Sequence, residues 1–330
     1  MATDYRYPGS VEEAIECLEA GEGAAWVIAG GTDVLPDIRK GAIAPQCLVD
    51  VTRIPELRRI EIGEDFVTVG AAVTFAAIRE HLFLNERVHA LVEAAGSVGA
   101  GPIQTVATWV GNIVQGMPAA DGAVVAIALD AEACIVDRDG ARWQPVESLF
   151  AGPGVSTVDR TRQIVTAIRF PRPGLRTGTA WQRVGRRAAL VLPILNCAVR
   201  VELEGEGDAG PGAGAEDGRI ADVAIALGPV APVPFRARKA EGFLRGRAPR
   251  REILEQGAQI ARDEANPRTS PMRASKGYRL EVLPVLVTDA LATAVGRGGG
   301  PSPQPSPRGE RGGTRLALAK RAGRAERLRS

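Results

Sequence analysis

Aromatic residues, one-sided charge and long apolar runs are all scarce in this chain, and each shortage excludes a class of function. Phe, Trp and Tyr make up 4% of the 330 residues, which leaves too few rings for a broad base-stacking surface for nucleic acid. The formal net charge of +2 gives no strong attraction to a polyanionic partner. No run of about 18 apolar residues occurs, so the sequence predicts no membrane-spanning helix.

Metal-ligating and nucleophilic side chains are equally sparse. The four cysteines lie far apart without a CxxC pair, which indicates free thiols in a reducing compartment. The two histidines, His81 and His89, fall on helical patterns and are expected to pack there. We therefore predict no metal site and no catalytic acid or base. The opening MATDYRYPGS lacks the charged and then apolar layout of a signal peptide, so we expect a cytoplasmic protein.

What the sequence does contain is a regular succession of helix and strand patterns. Ser10 and Glu13 form a capping box ahead of an amphipathic helix. AWVIA then predicts a buried strand that ends on two glycines, and a short helix and a second strand, CLVDV, follow. These elements form a small β-α-β-like lobe over about residues 1–55.

The remaining patterns divide the chain further and give an α+β fold. Residues 56–175 predict strands, helices, a polar loop containing Gly and Pro, and apolar strands around an Asp-Gly turn. Residues 176–295 predict a three-stranded antiparallel sheet and a helical bundle, with a polar loop, EGEGDAGPGAGAEDG, inside the sheet. Residues 296–330 hold nine Lys or Arg and two Glu and are predicted to be a disordered basic tail.

Two glycine-containing segments are the candidate ligand-binding loops. The first is AGGTD at residues 29–33, and the second is TWVGN at residues 108–112. A backbone without a Cβ lets a ligand approach closely, and successive N–H groups form an anion-binding concavity. Neither segment contains GxGxxG or GxxxxGK[ST], so the Rossmann and Walker fingerprints are absent. Taken alone, each segment is more often a simple turn.

Three motifs in order resemble the flavin subunits of the molybdenum hydroxylases: VIAGGTDVLPDIRKG, ATWVGNIVQGMPAADG and ALDA. The resemblance also includes the later segment RASKGYRLEVLPVLVTDAL. This family includes the medium subunit of carbon monoxide dehydrogenase, the β subunit of 4-hydroxybenzoyl-CoA reductase and the flavin domain of xanthine dehydrogenase. The resemblance covers about residues 7–294. It implies a two-lobed, PCMH-type FAD-binding domain over residues 1–175 and a smaller C-terminal flavoprotein domain over residues 176–295.

By this resemblance FAD would be the cofactor. The first glycine segment would wrap the FAD pyrophosphate, and the second would grip the same diphosphate from the other side. Asp121 would hold a polar group of the cofactor, and Val165 would lie against a flavin or adenine ring. Arg183 would lie near the isoalloxazine and favour the anionic reduced flavin. The predicted cofactor-binding residues are Val27, Ile28, Ala29, Gly30, Gly31, Thr32, Asp33, Thr108, Gly111, Asn112, Asp121, Val165 and Arg183.

The resemblance also implies partners and an activity. The chain would be the electron-transfer subunit of a hetero-oligomer, expected to be a dimer of heterotrimers. Its partners would be a small [2Fe-2S] subunit and a large molybdopterin subunit. Its FAD would take electrons from the [2Fe-2S] clusters and pass them to NAD+, a quinone, O2 or another acceptor.

Two alternatives stay open at this point. The second glycine segment departs from the TIGGN common in the family, because Trp109 and Val110 stand there. A Cβ at position 110 opposes a positive φ, so a scaffold subunit that binds no flavin would explain the change. The other alternative is a self-sufficient FAD-dependent oxidase, which would need its own substrate pocket and often carries a His or Cys linked to the flavin.

Overall fold

The computed structural model describes residues 4–187, 190–205 and 218–299. The strands are β1 (Asp4–Arg6), β2 (Ala25–Ile28), β3 (Cys47–Asp50), β4 (Ile60–Ile62), β5 (Phe66–Gly70), β6 (Glu132–Asp137), β7 (Gly140–Pro145), β8 (Phe150–Gly152), β9 (Val155–Ser156), β10 (Ile164–Pro171), β11 (Thr177–Val184), β12 (Leu195–Leu203), β13 (Ile220–Gly228) and β14 (Phe235–Arg236). The helices are α1 (Val11–Ala20), α2 (Val34–Arg39), α3 (Phe75–Glu80), α4 (Leu82–Arg87), α5 (His89–Ser97), α6 (Gly101–Gln104), α7 (Trp109–Val114), α8 (Asp121–Ala128), α9 (Arg238–Leu244), α10 (Arg251–Glu264) and α11 (Lys276–Gly298).

The first layer is a parallel three-stranded sheet in the order β1-β3-β2, with α1 packed against it. The predicted helix cap at Ser10 is confirmed, because Ser10 Oγ accepts a hydrogen bond from the Glu13 N–H at 3.2 Å. Glu13 also reaches back, but its Oε2 accepts from the Gly9 N–H at 2.6 Å, one residue before the N-cap. The predicted strands AWVIA and CLVDV are confirmed as β2 and β3. The sequence does not predict β1, because its three residues are exposed and show no apolar alternation.

The second layer is an antiparallel five-stranded sheet in the order β4-β5-β10-β6-β7. Its two outer hairpins, β4-β5 and β6-β7, turn at the predicted Gly-Glu-Asp and Asp-Gly sequences. β10 lies between them and pairs with both β5 and β6. The segment that leads into β10 lies beside β2, where the Arg160 carbonyl oxygen accepts a hydrogen bond from the Val27 N–H at 3.3 Å.

The prediction of a polar loop and an apolar strand between residues 101 and 130 is wrong. The structure has three helices there, α6, α7 and α8, before β6 begins. All eight residues of α8 are buried, so this helix has no solvent-facing side and its sequence shows no 3.6-residue period. A short continuous apolar run does not distinguish a buried strand from a buried helix.

The third layer is an antiparallel sheet in the order β11-β12-β13-β14. The sequence predicts three strands for this sheet, and the described residues form four. The additional strand, β14, has two residues at the edge of the sheet, which is too short to give a sequence pattern. Alternate residues of β12 belong to different apolar clusters. Cys197 and Val199 pack in the cluster of α11, whereas Ala198 packs in the cluster that contains α5 and α8. Successive side chains of a strand point to opposite faces, so helices cover both sides of this sheet.

The predicted helical bundle is confirmed as α9, α10 and α11. α11 continues to Gly298, three residues into the segment predicted to be a tail. Residues 300–330 of that tail and most of the predicted polar loop, at 206–217, lie outside the described residues.

Polar bridges join α5 and α8 to the third layer. Glu93 of α5 accepts a hydrogen bond from Arg297 of α11 at 2.5 Å. Asp130, directly after α8, accepts one from Arg236 of β14 at 2.5 Å. The Arg236 side chain is 6% exposed and also pairs with Glu241, which is 2% exposed. Removing one partner would leave a buried charge uncompensated, so these contacts favour a single orientation of the third layer relative to the first two.

Candidate functional site

A cavity of about 340 Å³ opens where β2 ends, between the first glycine segment, α7 and residues 158–165. Eleven of the thirteen predicted cofactor-binding residues line it. Those eleven are Val27, Ile28, Ala29, Gly30, Gly31, Thr32, Asp33, Thr108, Gly111, Asn112 and Val165. The structure therefore brings both glycine segments and three apolar strand residues, Val27, Ile28 and Val165, to a single site.

The first glycine segment presents bare backbone donors at this cavity. In the ranges that the structure describes, the N–H groups of Gly30, Gly31 and Thr32 form no hydrogen bond with the protein. Gly31 has a φ of +67°, a left-handed conformation that glycine adopts without strain. Successive N–H groups around such a residue form a concavity that binds anions, so this wall suits a negatively charged ligand group.

Gly30 has a separate, structural role. A Cβ at this position would lie 2.0 Å from the carbonyl oxygen of Val106. The missing side chain therefore lets the first segment pack directly on the backbone that leads into α7. Because this contact is between main chains, the spacing of the two glycine segments is fixed by the protein itself.

The second glycine segment is the first turn of α7, so the prediction that it is a loop is wrong. Thr108 caps the helix, and its Oγ1 accepts a hydrogen bond from the Gly111 N–H at 3.0 Å. Trp109 is fully buried, and its Nε1 donates to the carbonyl oxygen of Gly122 at 2.9 Å. Val110 is not among the described non-glycine residues with positive φ. The expected conflict between its Cβ and a left-handed loop does not arise.

Asn112 contributes a side-chain donor to the cavity. Its Oδ1 accepts a hydrogen bond from the Gly122 N–H at 3.0 Å. With that oxygen committed, the Nδ2 group and its two hydrogens are left for a ligand in the cavity that Asn112 lines. The second segment therefore offers a side-chain amide where the first offers backbone amides.

The opposite wall of the cavity is apolar. Val165 lies on β10, at a point where the pairing with β6 shifts register, and is 6% exposed. Phe75, Ile164 and Val110 lie with it on the cavity lining. Such a wall suits a flat ring system, and the predicted contact of Val165 with a ring stays a prediction.

Asp33 places a carboxyl group at the edge of the cavity, in contact with solvent. The surrounding protein removes part of its solvation, which raises the pKa of Asp33 above its ordinary value. A hydrogen bond from Thr32 Oγ1, 3.4 Å away, acts in the opposite direction. A carboxyl group that ionises less readily is less unfavourable beside an anionic ligand.

Asp121 and Arg183 lie behind the cavity wall and do not line it. Asp121 accepts hydrogen bonds from Ser97 Oγ at 2.9 Å and from Asn196 Nδ2 at 2.5 Å. Arg183 Nη1 lies 3.8 Å from Asp121 Oδ2, and both side chains are 7% exposed. Burial raises the pKa of Asp121, and the charge of Arg183 opposes that shift. The cofactor contacts predicted for these two residues stay predictions.

Several cavity-lining residues escape sequence reasoning. They are Val98, Ile103, Gln115, Val158, Arg160, Gln163 and Leu192. The apolar members carry no chemical signal, and the polar members lie outside any glycine motif. The segment of residues 158–163 reaches the cavity because Arg160 accepts a hydrogen bond from the Val27 N–H at 3.3 Å, which adds the segment to an edge of β2.

The described ranges contain neither a metal-binding cluster nor a membrane-spanning helix. No group of three or more His, Cys, Asp and Glu side chains there is arranged to hold a metal ion. None of the helices in those ranges combines the length and the apolar character needed to cross a bilayer. The cysteines are free; Cys134 and Cys197 are buried, and Cys17 and Cys47 are half-buried.

FAD fits the residues that line the cavity. A flavin dinucleotide combines an anionic diphosphate with flat ring systems. The unpaired amides of Gly30, Gly31 and Thr32 suit the diphosphate, and the apolar wall around Val165 suits a ring.

Family models match the chain in two consecutive blocks. The model described as "FAD binding domain in molybdopterin dehydrogenase" matches residues 1–173. The model described as "CO dehydrogenase flavoprotein C-terminal domain" matches residues 180–294.

Individual relatives agree with this match. The chain is 29% identical over 298 residues to the xanthine dehydrogenase FAD-binding subunit of Escherichia coli O157:H7, which covers 90% of this chain and 97% of that protein. It is 26% identical over 294 residues to the carbon monoxide dehydrogenase medium chain of Hydrogenophaga pseudoflava, with 89% and 97% covered.

Solved structures agree as well. A chain of carbon monoxide dehydrogenase from Hydrogenophaga pseudoflava, in a form that lacks the Mo-pyranopterin moiety of the molybdenum cofactor, superimposes with a TM-score of 0.80. The two sequences are 27% identical, and the match covers 90% of this chain and 98% of the carbon monoxide dehydrogenase chain. A chain of reconstituted CO dehydrogenase from Oligotropha carboxidovorans gives a TM-score of 0.80 at 25% identity, with 90% and 99% covered.

The comparisons confirm the predicted α+β fold, the FAD cofactor and the oxidoreductase class. The family match extends over more than half of the chain, and the cavity provides the donors and the apolar wall that this cofactor needs. This chain therefore belongs to the family of FAD-binding flavoprotein subunits of molybdopterin dehydrogenases, which includes the xanthine and carbon monoxide dehydrogenase subunits.

Proposed function

We propose that this chain is the electron-transfer subunit of a molybdenum hydroxylase complex. Electrons from [2Fe-2S] clusters of a small partner subunit reach FAD in the cavity and leave to NAD+, a quinone, O2 or another acceptor. When bound, FAD exchanges electrons singly or in pairs, which links one-electron clusters to a two-electron acceptor. The names of the relatives, "FAD-binding subunit" and "medium chain", support a role as one subunit among several.

The observation that carries the proposal is the presence of unpaired amides and an apolar wall in one cavity. The amides of Gly30, Gly31 and Thr32 hold the diphosphate, and the wall around Val165 keeps water from one face of a ring. The two segments are already packed together through Gly30, so the protein binds and orients the cofactor without rearranging. No acid–base step is assigned to this chain.

The two alternatives lose their motivation in this geometry. The scaffold alternative depends on strain at Val110, which lies unstrained in the first turn of α7. The self-sufficient oxidase alternative favours a His or Cys beside the flavin, and neither residue type occurs among the described residues that line the cavity.

We extend the proposal to organisation and location. The FAD-binding domain ends near residue 175 and the C-terminal flavoprotein domain follows over residues 176–295, with FAD held between the two lobes and the second domain. The chain assembles with a small [2Fe-2S] subunit and a large molybdopterin subunit as a dimer of heterotrimers in the cytoplasm. The consecutive family matches at residues 1–173 and 180–294 support this division.

Co-purification tests the proposal. The tagged full-length chain is isolated with its natural partners, and FAD, iron and molybdenum are quantified in the complex. The proposal predicts all three, together with a flavin absorbance that bleaches on reduction and recovers when an acceptor is added. A chain that purifies alone and stays colourless after incubation with FAD would contradict it.

A further inference from the structure

The cavity contains very little side-chain charge for a site that takes a diphosphate. Among the described residues that line it, Asp33 is the acidic one and Arg160 is the basic one. The other donors, the free amides of the first glycine segment and the Asn112 side chain, are neutral. A bound diphosphate therefore has one full positive charge available on the cavity lining, that of Arg160.

Arg160 is held beside the first glycine segment through its backbone. Its carbonyl oxygen accepts a hydrogen bond from the Val27 N–H at 3.3 Å, three residues before Gly30. Its guanidinium carbon lies 5.0 Å from the centroid of the Trp26 ring. A guanidinium that stacks on an aromatic face keeps its N–H groups free at the edges to bind oxygen atoms.

The neighbouring charges do not compensate Arg160. In the described part of the chain no carboxylate lies within ion-pair distance of its guanidinium, which instead stacks on the Trp26 ring. The adjacent Asp159 accepts hydrogen bonds from Thr161, and the charge of Arg162 further stabilises its ionised form. Arg183, by contrast, lies behind the wall beside the carboxylate of Asp121.

We infer that Arg160 binds the diphosphate of the flavin dinucleotide and thereby makes the site selective for phosphate-bearing flavins over riboflavin. The inference rests on the proposed function, because it concerns the same cavity. Trp26 does not line the cavity and is a positioning residue in this account, because its ring packs against the Arg160 guanidinium.

Flavin titrations of four proteins test the inference. The full-length chain, freed of flavin, is titrated with FAD and with riboflavin, and fluorescence quenching gives each Kd. The variants are Arg160→Gln, Arg160→Lys and the matched control Arg162→Gln, an exposed arginine two residues away that does not line the cavity. Loss of one charged contact to a phosphate is expected to weaken FAD binding by about 10- to 100-fold.

The expected result is specific to phosphate. Arg160→Gln loses FAD affinity, Arg160→Lys recovers part of it, and Arg162→Gln matches the natural chain. Riboflavin affinity is the same in all four proteins. Added salt weakens FAD binding more in the natural chain than in Arg160→Gln, because salt screens the lost charge.

A fourth variant tests the positioning role of Trp26. Trp26→Leu is expected to weaken FAD binding less than Arg160→Gln does, and to add no further loss when the two changes are combined. Additive losses would show that Trp26 acts independently of Arg160 and would overturn the positioning role.

Three results would overturn the inference. Equal FAD affinity in Arg160→Gln and the natural chain would show that Arg160 does not bind the diphosphate. An equal loss of FAD and riboflavin affinity would show that the change acts on the ring site or the fold. If the natural chain itself fails to bind FAD, the proposed function fails, and this inference fails with it.

Discussion

The two glycine segments look alike in sequence and differ in structure. In the first, residues 29–33, consecutive amides are left without protein partners and Gly31 has a positive φ. In the second, residues 108–112, Thr108 caps a helix and the Gly111 amide is already hydrogen-bonded. The first segment therefore keeps its backbone amides available to a ligand, whereas the amides of the second are largely hydrogen-bonded within their own helix.

This difference shows that glycine content alone does not reveal how a segment binds. The first segment uses glycine for close backbone packing at Gly30 and for a left-handed turn at Gly31. The second needs neither, and a buried Val110 is tolerated there because its backbone is helical. Substitutions of the same size in the two segments should therefore have unequal effects on stability and on FAD binding.

Adding a methyl group to one glycine of each segment gives the largest expected contrast. Gly30→Ala places a Cβ against the Val106 carbonyl oxygen, 2.0 Å away, and should lower the free energy of unfolding by about 3 kcal/mol and abolish FAD binding. Gly111→Ala meets the Thr108 hydroxyl, 2.9 Å away, and should change stability by less than about 1 kcal/mol. Urea unfolding measures both. Equal losses would mean that the two glycines have the same role.

Asn112→Asp separates ligand binding from stability in the second segment. The change keeps an oxygen to accept from the Gly122 N–H and replaces the Nδ2 donor by a charged oxygen. FAD affinity should fall by at least about tenfold with unfolding nearly unchanged. Asn112→Ala is the control, because it loses the acceptor too and should also unfold more easily. Unchanged FAD affinity in Asn112→Asp would remove Asn112 from the site.

The threonines of the two segments offer a smaller contrast. Thr108→Ala removes the helix cap and should lower the free energy of unfolding by about 1 kcal/mol, while Thr108→Ser should retain it. Thr32→Ala removes only a 3.4 Å contact with Asp33 and should leave stability unchanged. Thermal or urea unfolding checks the pair. A cost at Thr32 as large as that at Thr108 would show that the first segment is also stabilised by its own side chains.

The smallest expected effect is a pH dependence that comes from Asp33. Burial raises the folded-state pKa of Asp33 above its ordinary value of 3.8, so the folded chain holds this proton more tightly than the unfolded chain. The resulting stability is complete below pH 3.8 and is lost as the pH rises through the raised pKa. Relative to Asp33→Asn, the natural chain should lose stability across this interval. A pH-independent difference between the two proteins would contradict the raised pKa.

The sequence predicts the first lobe well because its signals are local. The capping box at Ser10, the apolar strand before Gly30 and the turn after it each depend on neighbouring residues. α8 is different, since burial on every face removes the periodicity that would mark a helix. The sequence does contain a signal for the helix cap at Thr108, because Thr is a preferred N-cap residue. The resemblance of this segment to a family glycine motif favours a loop instead.

The cavity is less accessible to sequence reasoning than the fold. The glycine segments are recognisable, whereas Arg160 reaches the site only because its segment adds to an edge of β2. No sequence motif within residues 158–163 indicates a ligand-binding site. Tertiary pairing between distant parts of the chain therefore decides which charged residue lies on the cavity.

The bridge from Asp130 to Arg236 has a consequence for how the molecule melts. The bridge links the two apolar clusters, because separating them would remove one of the two carboxylate partners of Arg236, whose side chain is 6% exposed in the packed molecule. Heating should therefore produce one calorimetric peak for both clusters.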